Sequence, residues 1–184
     1  MFAELLQKIA SELDQRKIPY MVIGGQAVLL YGEPRLTRDI DITLGVTTER
    51  LDDVIGAAKN SGLKTMVDPN TFTMKTMVLP CQSSATDIRV DFIFSFSPYE
   101  QQAMDHVRIV QMGDGEVKFA SPEDLIIHKV FAGRPRDLED VKNVLLKNSD
   151  VDIEYIRHWL QELSAAMEEP YLARFEEIWS LCHD

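Results

Sequence analysis

Residues 39–44 read Asp-Ile-Asp-Ile-Thr-Leu, an alternation of polar and apolar side chains. That period of two belongs to a β-strand with one covered face. Ile40, Ile42 and Leu44 must pack against a hydrophobic layer, while Asp39 and Asp41 point together to the other side. The run therefore demands a sheet, and it places two carboxylates on the face that is not core. A second β-rich run, 87–94, repeats the arrangement: Ile88, Val90, Phe92 and Phe94 share an apolar side and Asp91 faces away from it. If the two strands are neighbours, three oxygen donors meet at one spot.

The rest of the chain supplies the layers. Phe2, Leu5, Leu6, Ile9 and Leu13 recur at helical spacing, and this first helix should stop near Lys17, ahead of Pro19. Tyr20–Ile23 is a short apolar strand that halts at Gly24-Gly25, and a short helix over 26–31 follows. Residues 47–60 predict a helix with Thr47 or Thr48 as its cap. Residues 74–79 predict another strand, and 98–104 one or two helical turns. The runs 107–112 and 116–119 flank Gly113-Asp114-Gly115 as a hairpin. From Ser121 onward every pattern is helical: a serine cap with Pro122 at the first position, a break at Gly133, a helix over 136–147, and two amphipathic helices beyond. The order predicts an α+β fold, a mixed sheet with helices over residues 1–119 and a helical C-terminal part over residues 120–184 packed on it.

Bulk properties exclude several classes. No apolar run approaches the roughly 20 residues of a membrane helix, and the charged N-terminal helix is no signal peptide. Cys81 and Cys182, the two cysteines, fit no metal or redox motif, so reduced thiols in the cytoplasm are expected. The net charge of −11 opposes broad binding to nucleic acid. The acidity is uneven, however. Residues 148–184 hold nine acids and two bases, whereas 128–147 hold five bases and three acids, which leaves room for a confined basic pocket.

Chemistry concentrates at two places. Three carboxylates, Asp39, Asp41 and Asp91, form the kind of donor set that Mg²⁺ takes together with water and phosphate oxygens. A pair of such ions activates a hydroxyl and stabilises the departing oxygen in displacement at phosphorus. Gly24-Gly25, between a strand and a helix, lets backbone amides approach an anion at a helix N-terminus, and a nucleoside triphosphate is a natural occupant. Taken singly, each element also has a plain structural reading: a turn for the glycines, and a solvated strand residue paired with Arg89 for Asp91.

The stretch from Tyr20 to Ile42, with Gly24-Gly25, then Arg35-Leu36-Thr37-Arg38, then Asp39-Ile40-Asp41, resembles the signature of polymerase-β-like nucleotidyltransferases. Together with the later run from Pro122 to Val141, it resembles the small bacterial and archaeal branch that includes abortive-infection (AbiEii-type) toxins. The likeness covers about residues 18–145. It implies that Gly24 and Gly25 hold the triphosphate and that Asp39 and Asp41 bind the metal ions. Asp91 would complete the site and help deprotonate the acceptor, and Lys129 would reach a phosphate. Arg35, Thr37 and Arg38 flank the metal strand and either contact phosphate or line a solvated loop. Asp137 and Asp140 share a helix face. With Arg134 and Arg136 nearby, they either orient Lys129 or make surface ion pairs.

The implied activity is Mg²⁺-dependent transfer of a nucleoside monophosphate from an NTP to a hydroxyl. The acceptor candidates are RNA (a tRNA end in particular), a partner protein in a toxin–antitoxin pair, or a small molecule such as an aminoglycoside. The rival of a different class is a non-catalytic nucleotide-binding or antitoxin-like module. Nothing in the sequence selects an oligomeric state.

Overall fold

The computed structural model describes residues 2–183. Its strands are β1 (Tyr20–Ile23), β2 (Asp39–Leu44), β3 (Leu63–Thr65), β4 (Val78–Ser83), β5 (Arg89–Phe94), β6 (Arg108–Met112) and β7 (Gly115–Phe119). The helices are α1 (Phe2–Gln15), α2 (Gly24–Tyr31), α3 (Leu51–Asn60), α4 (Pro69–Thr76), α5 (Pro98–Asp105), α6 (Pro122–Ala132), α7 (Pro135–Lys147), α8 (Ile153–Met167) and α9 (Tyr171–His183). They resolve into two compact units: residues 1–26 with 36–120, and residues 27–35 with 121–184. A single cut after residue 119 does not describe this division, because the segment 27–35 groups with the later helices.

The first unit is built on one sheet of order β3-β4-β5-β2-β1-β7-β6. It is mixed: β2 runs parallel to β5 and β1 parallel to β7, while β1–β2, β3–β4, β4–β5 and β6–β7 are antiparallel. Ile40, Ile42, Leu44, Leu79, Cys81, Val90 and Phe92 are all fully buried along one face. Burying each large apolar side chain contributes roughly 1.5–3 kcal/mol, so the alternation in β2 and β5 is paid back on that side and the polar face is left open. α1 packs on β7 and α3, and α3 packs on β3.

Local signals decided most element ends. Ser97 and Glu100 form a reciprocal capping box at the start of α5. Ser121 Oγ accepts from the Asp124 amide at 3.0 Å, Pro122 follows, and Gly133 at φ +65° ends α6. The expected strand over 74–79 is corrected. Asp68 Oδ2 caps the Thr71 amide at 3.0 Å, Pro69 opens a helix, and only after Met77, in the left-handed region at φ 60°, does β4 begin. A good cap outweighed the β preference of Phe72 and the threonines of this segment. Thr47 precedes a short 3₁₀ turn over Thr48–Arg50 but makes no side-chain cap bond, so α3 proper starts at Leu51.

In the second unit α6 packs on α7 and α8, and α9 packs on α7 and α8. Ile126, Val130, Val141, Ile156, Leu160 and Phe175 are fully buried there. The segment 27–35 is tied to the end of α7: Lys147 Nζ donates to the Gly32 carbonyl at 3.1 Å and Asn148 Nδ2 to that of Tyr31 at 2.8 Å. Among the described residues no helix is long and apolar enough to cross a membrane.

Candidate active site

The parallel pairing of β2 with β5 sets Asp41 directly opposite Asp91 and Asp39 opposite Arg89. Cross-strand partners share a face, so the three carboxylates stand on the open side of the sheet. Asp39 is exposed, and Asp41 and Asp91 are partly buried. On the other flank β1 pairs with β2 so that Ile23 lies opposite Asp41, and the chain leaves β1 through Gly24 at φ +65°. A Cβ built on Gly24 would fall 2.1 Å from Asp41 Oδ2, and one on Gly25 would fall 2.4 Å from Thr37 Oγ1. A side chain at either position would force Asp41 or Thr37 to move. The carboxylate of Asp41 rests against the glycine turn, and the hydroxyl of Thr37 seals its other half.

Thr37 also donates to the Asp39 carbonyl at 3.3 Å, fixing the entry to β2. Arg38, beside it, is exposed. Immediately after the glycine pair, Gln26 is 7% exposed and its Nε2 is buried without a hydrogen-bond partner among the described residues. A buried donor left unmatched costs roughly 1–3 kcal/mol, and here it adjoins the helix start expected to receive an anion.

Arg89 is the residue whose importance the sequence understated. Its Nε donates to Asp91 Oδ1 at 3.0 Å. The hydrogen bond and charge of Asp91 raise the guanidinium pKa, with Asp39 and Asp41 adding smaller contributions of the same sign. One cation thus answers to all three carboxylates. The donor chemistry suits a hard divalent ion. As the side chains are placed, no three Asp, Glu, His or Cys groups among the described residues are positioned to hold a metal ion together. Behind the site, burial and then the charge of Asp91 push the Cys81 thiol up to about 12, which makes it an inert core residue.

In the second unit the structure gathers Lys129, Arg134, Asp137, Asp140 and Arg35. Lys129 is 6% exposed, and its ammonium lies 2.7 Å from Asp137 Oδ1 and 2.9 Å from Asp140 Oδ2. Arg134 Nε meets Asp137 Oδ2 at 2.6 Å, and Arg35 grips Asp140 with Nε and Nη2 at 3.2 and 3.0 Å. Burial works to raise the Asp137 carboxyl, but the hydrogen bonds of Arg134 and Lys129 outweigh it and hold the group below its usual range. The two acids therefore fix the position of the Lys129 ammonium, and Asp137 pairs with Arg134 as well. Lys129 itself is the buried hub of the cluster, while Arg35 and Arg134 form its rim. Arg136 is exposed on the surface.

A family model described as "Nucleotidyltransferase of unknown function (DUF6036)" matches residues 1–181. No curated protein sequence matches the chain. Among solved structures, ANT(2″)-Ia in complex with adenylyl-2″-tobramycin is similar with a TM-score of 0.59 and 18% identity, covering 94% of this chain and 98% of that one. An antigenic nucleotidyltransferase-like protein from Paracoccidioides brasiliensis is similar with a TM-score of 0.55 and 16% identity, covering 94% and 91%. A putative nucleotidyltransferase from Thermotoga maritima is similar with a TM-score of 0.51 and 17% identity, covering 80% and 94%. At these identities the likeness is one of fold.

Proposed function

Because the chain belongs to this nucleotidyltransferase family, we propose that it transfers a nucleoside monophosphate from an NTP to a hydroxyl acceptor with Mg²⁺ as cofactor. The observation that carries this is the contact of the Asp41 carboxylate with the Gly24 turn, opposite Asp91 on the neighbouring strand. It would put a seat for phosphate beside one for cations. Mg²⁺, as two ions, would be held by Asp39 and Asp41 with Asp91 and would neutralise the charge building on the phosphates.

The chain's own residues do the rest. The amides after Gly24 and the Nε2 of Gln26 bind the triphosphate, and Thr37 keeps the turn in shape. The acceptor oxygen forms its bond to the α-phosphorus as the bond to the bridging oxygen breaks. Pyrophosphate leaves, and the acceptor proton passes to Asp91. Alignment and charge stabilisation supply most of the acceleration in chemistry of this kind. Lys129 serves as a positioning residue that fixes Asp140 and, through it, Arg35.

The resemblance of residues 18–145 to abortive-infection toxins supports an RNA end or a partner protein as acceptor, within a toxin–antitoxin setting. The unpaired thiols Cys81 and Cys182 suit a reducing cytoplasm.

The test is transfer of α-phosphate label from each of the four NTPs to tRNA, protein or tobramycin, with release of pyrophosphate. Label on one acceptor class is expected. Nucleotide bound but never consumed would establish the non-catalytic module instead.

A further inference from the structure

The sheet face that carries the three carboxylates continues away from the glycine turn. β1, with Gly24 at its end, lies on one side of β2; β5, β4 and β3 lie on the other. The pairing registers extend a single row across those strands. Asp39 is opposite Arg89, Arg89 opposite Gln82, and Gln82 opposite Lys64. All four side chains stand on the open face. Lys64 and Gln82, with Ser83, Ser84, Thr86 and Asp87, also line an open cleft of about 440 Å³. That volume falls within the roughly 300–1,000 Å³ typical of ligand pockets.

In-line displacement puts the attacking oxygen and the departing pyrophosphate on opposite sides of the phosphorus. With pyrophosphate at the Gly24-Gly25 turn, the acceptor must come from the β5-β4-β3 side, which is where this row and cleft lie. We propose that the cleft bounded by Lys64, Gln82 and the 83–87 loop binds the acceptor, and that this acceptor carries a phosphate close to its reacting hydroxyl, as a nucleoside monophosphate or an RNA 3′ end does. The inference rests on the transfer function proposed above and names its second substrate.

The cleft's chemistry selects that class. Lys64 is exposed and has no ion-pair partner among the described residues, so its ammonium is free to meet an anion in a chain whose net charge is −11. The Gln82 amide makes no hydrogen bond among those residues either. Ser83 Oγ accepts from the Ala85 amide at 3.3 Å and Thr86 Oγ1 from that of Ile88 at 3.4 Å. These bonds use acceptor capacity and leave both hydroxyl protons to donate to sugar or phosphate oxygens. A polycationic acceptor would need several carboxylates, and the cleft lining offers Asp87 alone.

The experiment measures dissociation constants by calorimetry for three probes: adenosine 5′-monophosphate, a short single-stranded RNA with a free 3′-hydroxyl, and tobramycin. The protein is first saturated with a non-hydrolysable NTP and Mg²⁺. Wild type is compared with Lys64→Glu and with Lys8→Glu, the latter matching the change in net charge on the exposed face of α1. Lys64→Glu is expected to weaken the phosphate-bearing probes at least tenfold and leave NTP affinity unchanged, while Lys8→Glu alters neither. Loss with both probes identifies a small acceptor or an RNA end through the terminal nucleotide alone; loss with RNA only identifies the polymer. A change below twofold in Lys64→Glu, or wild type binding tobramycin more tightly than either phosphate-bearing probe, would overturn the proposal. Failure of every NTP to bind, with Lys64-dependent RNA binding intact, would remove the transfer function and leave the cleft.

Discussion

The turn at Gly24 ties backbone conformation to chemistry most directly. Its φ of +65° already disfavours a side chain, and an added Cβ would have to push Asp41 Oδ2 aside. Gly24→Ala should therefore displace the Asp41 carboxylate and lower nucleotide transfer at least tenfold, about 1.4 kcal/mol of transition-state stabilisation. A change within twofold would show that the carboxylate does not depend on the turn. Gln26 gives the complementary case. Its Nε2 is already unmatched in the unliganded fold, so Gln26→Met should leave the urea midpoint within a few tenths of its value or raise it. The same variant should weaken NTP binding several-fold. Loss of stability without loss of binding would assign Gln26 to the core. These two roles were unequally legible beforehand. The glycines and carboxylates could be read from period and spacing. The pairing of Arg89 with Asp91 could be read from the same alternation, whereas the burial of Gln26 depends on packing that no local pattern encodes.

At the level of elements, α6 and α7 are joined through charge. Lys129, in the apolar company of Leu125, Ile126 and Val130, is neutralised by two acids from the next helix. Removing one partner of a buried ion pair typically costs about 3–5 kcal/mol, so Lys129→Met should shift urea unfolding by an amount of that order. A loss under about 1 kcal/mol would mean that Asp137 and Asp140 are satisfied by Arg134 and Arg35 alone. His128, next in the helix, sets a pH signature. Burial lowers its pKa from 6.5 to about 4. Between those values the unfolded chain binds more protons, so stability is complete above about pH 6.5 and declines as pH falls toward 4. His128→Gln should flatten that window. The depressed Asp137 carboxyl acts at more acid pH, where its protonation removes stability in turn. Helices with caps were the readable elements. β3, three residues with Leu63 alone buried, had too little pattern to announce itself. α4 hid its cap at Asp68 behind residues of β preference. Lys129 looked like either a surface or a phosphate lysine because its acids lie eight and eleven residues on and the arginine that completes the cluster lies far back in the chain.

For the molecule as a whole, the order of mixed sheet followed by helices was legible, and the grouping of residues 27–35 with the later helices was not. That segment carries loop chemistry, and its partners at the end of α7, Lys147 and Asn148, are more than a hundred residues away. The net charge of −11 makes the local cations informative. Binding of any polyanion must be confined to few residues and should fall steeply with salt only in proportion to those few contacts. The most direct test of a phosphate seat beside a cation seat is calorimetric titration of each NTP with Mg²⁺ into wild type and the Asp39→Ala/Asp41→Ala variant. Mg²⁺-dependent binding of at least one NTP by wild type, abolished in the double variant with its fold intact, is the expected result. Binding of no NTP by the folded wild-type protein, or equal binding by the variant, would show that the carboxylates and the glycine turn do not form a nucleotide site.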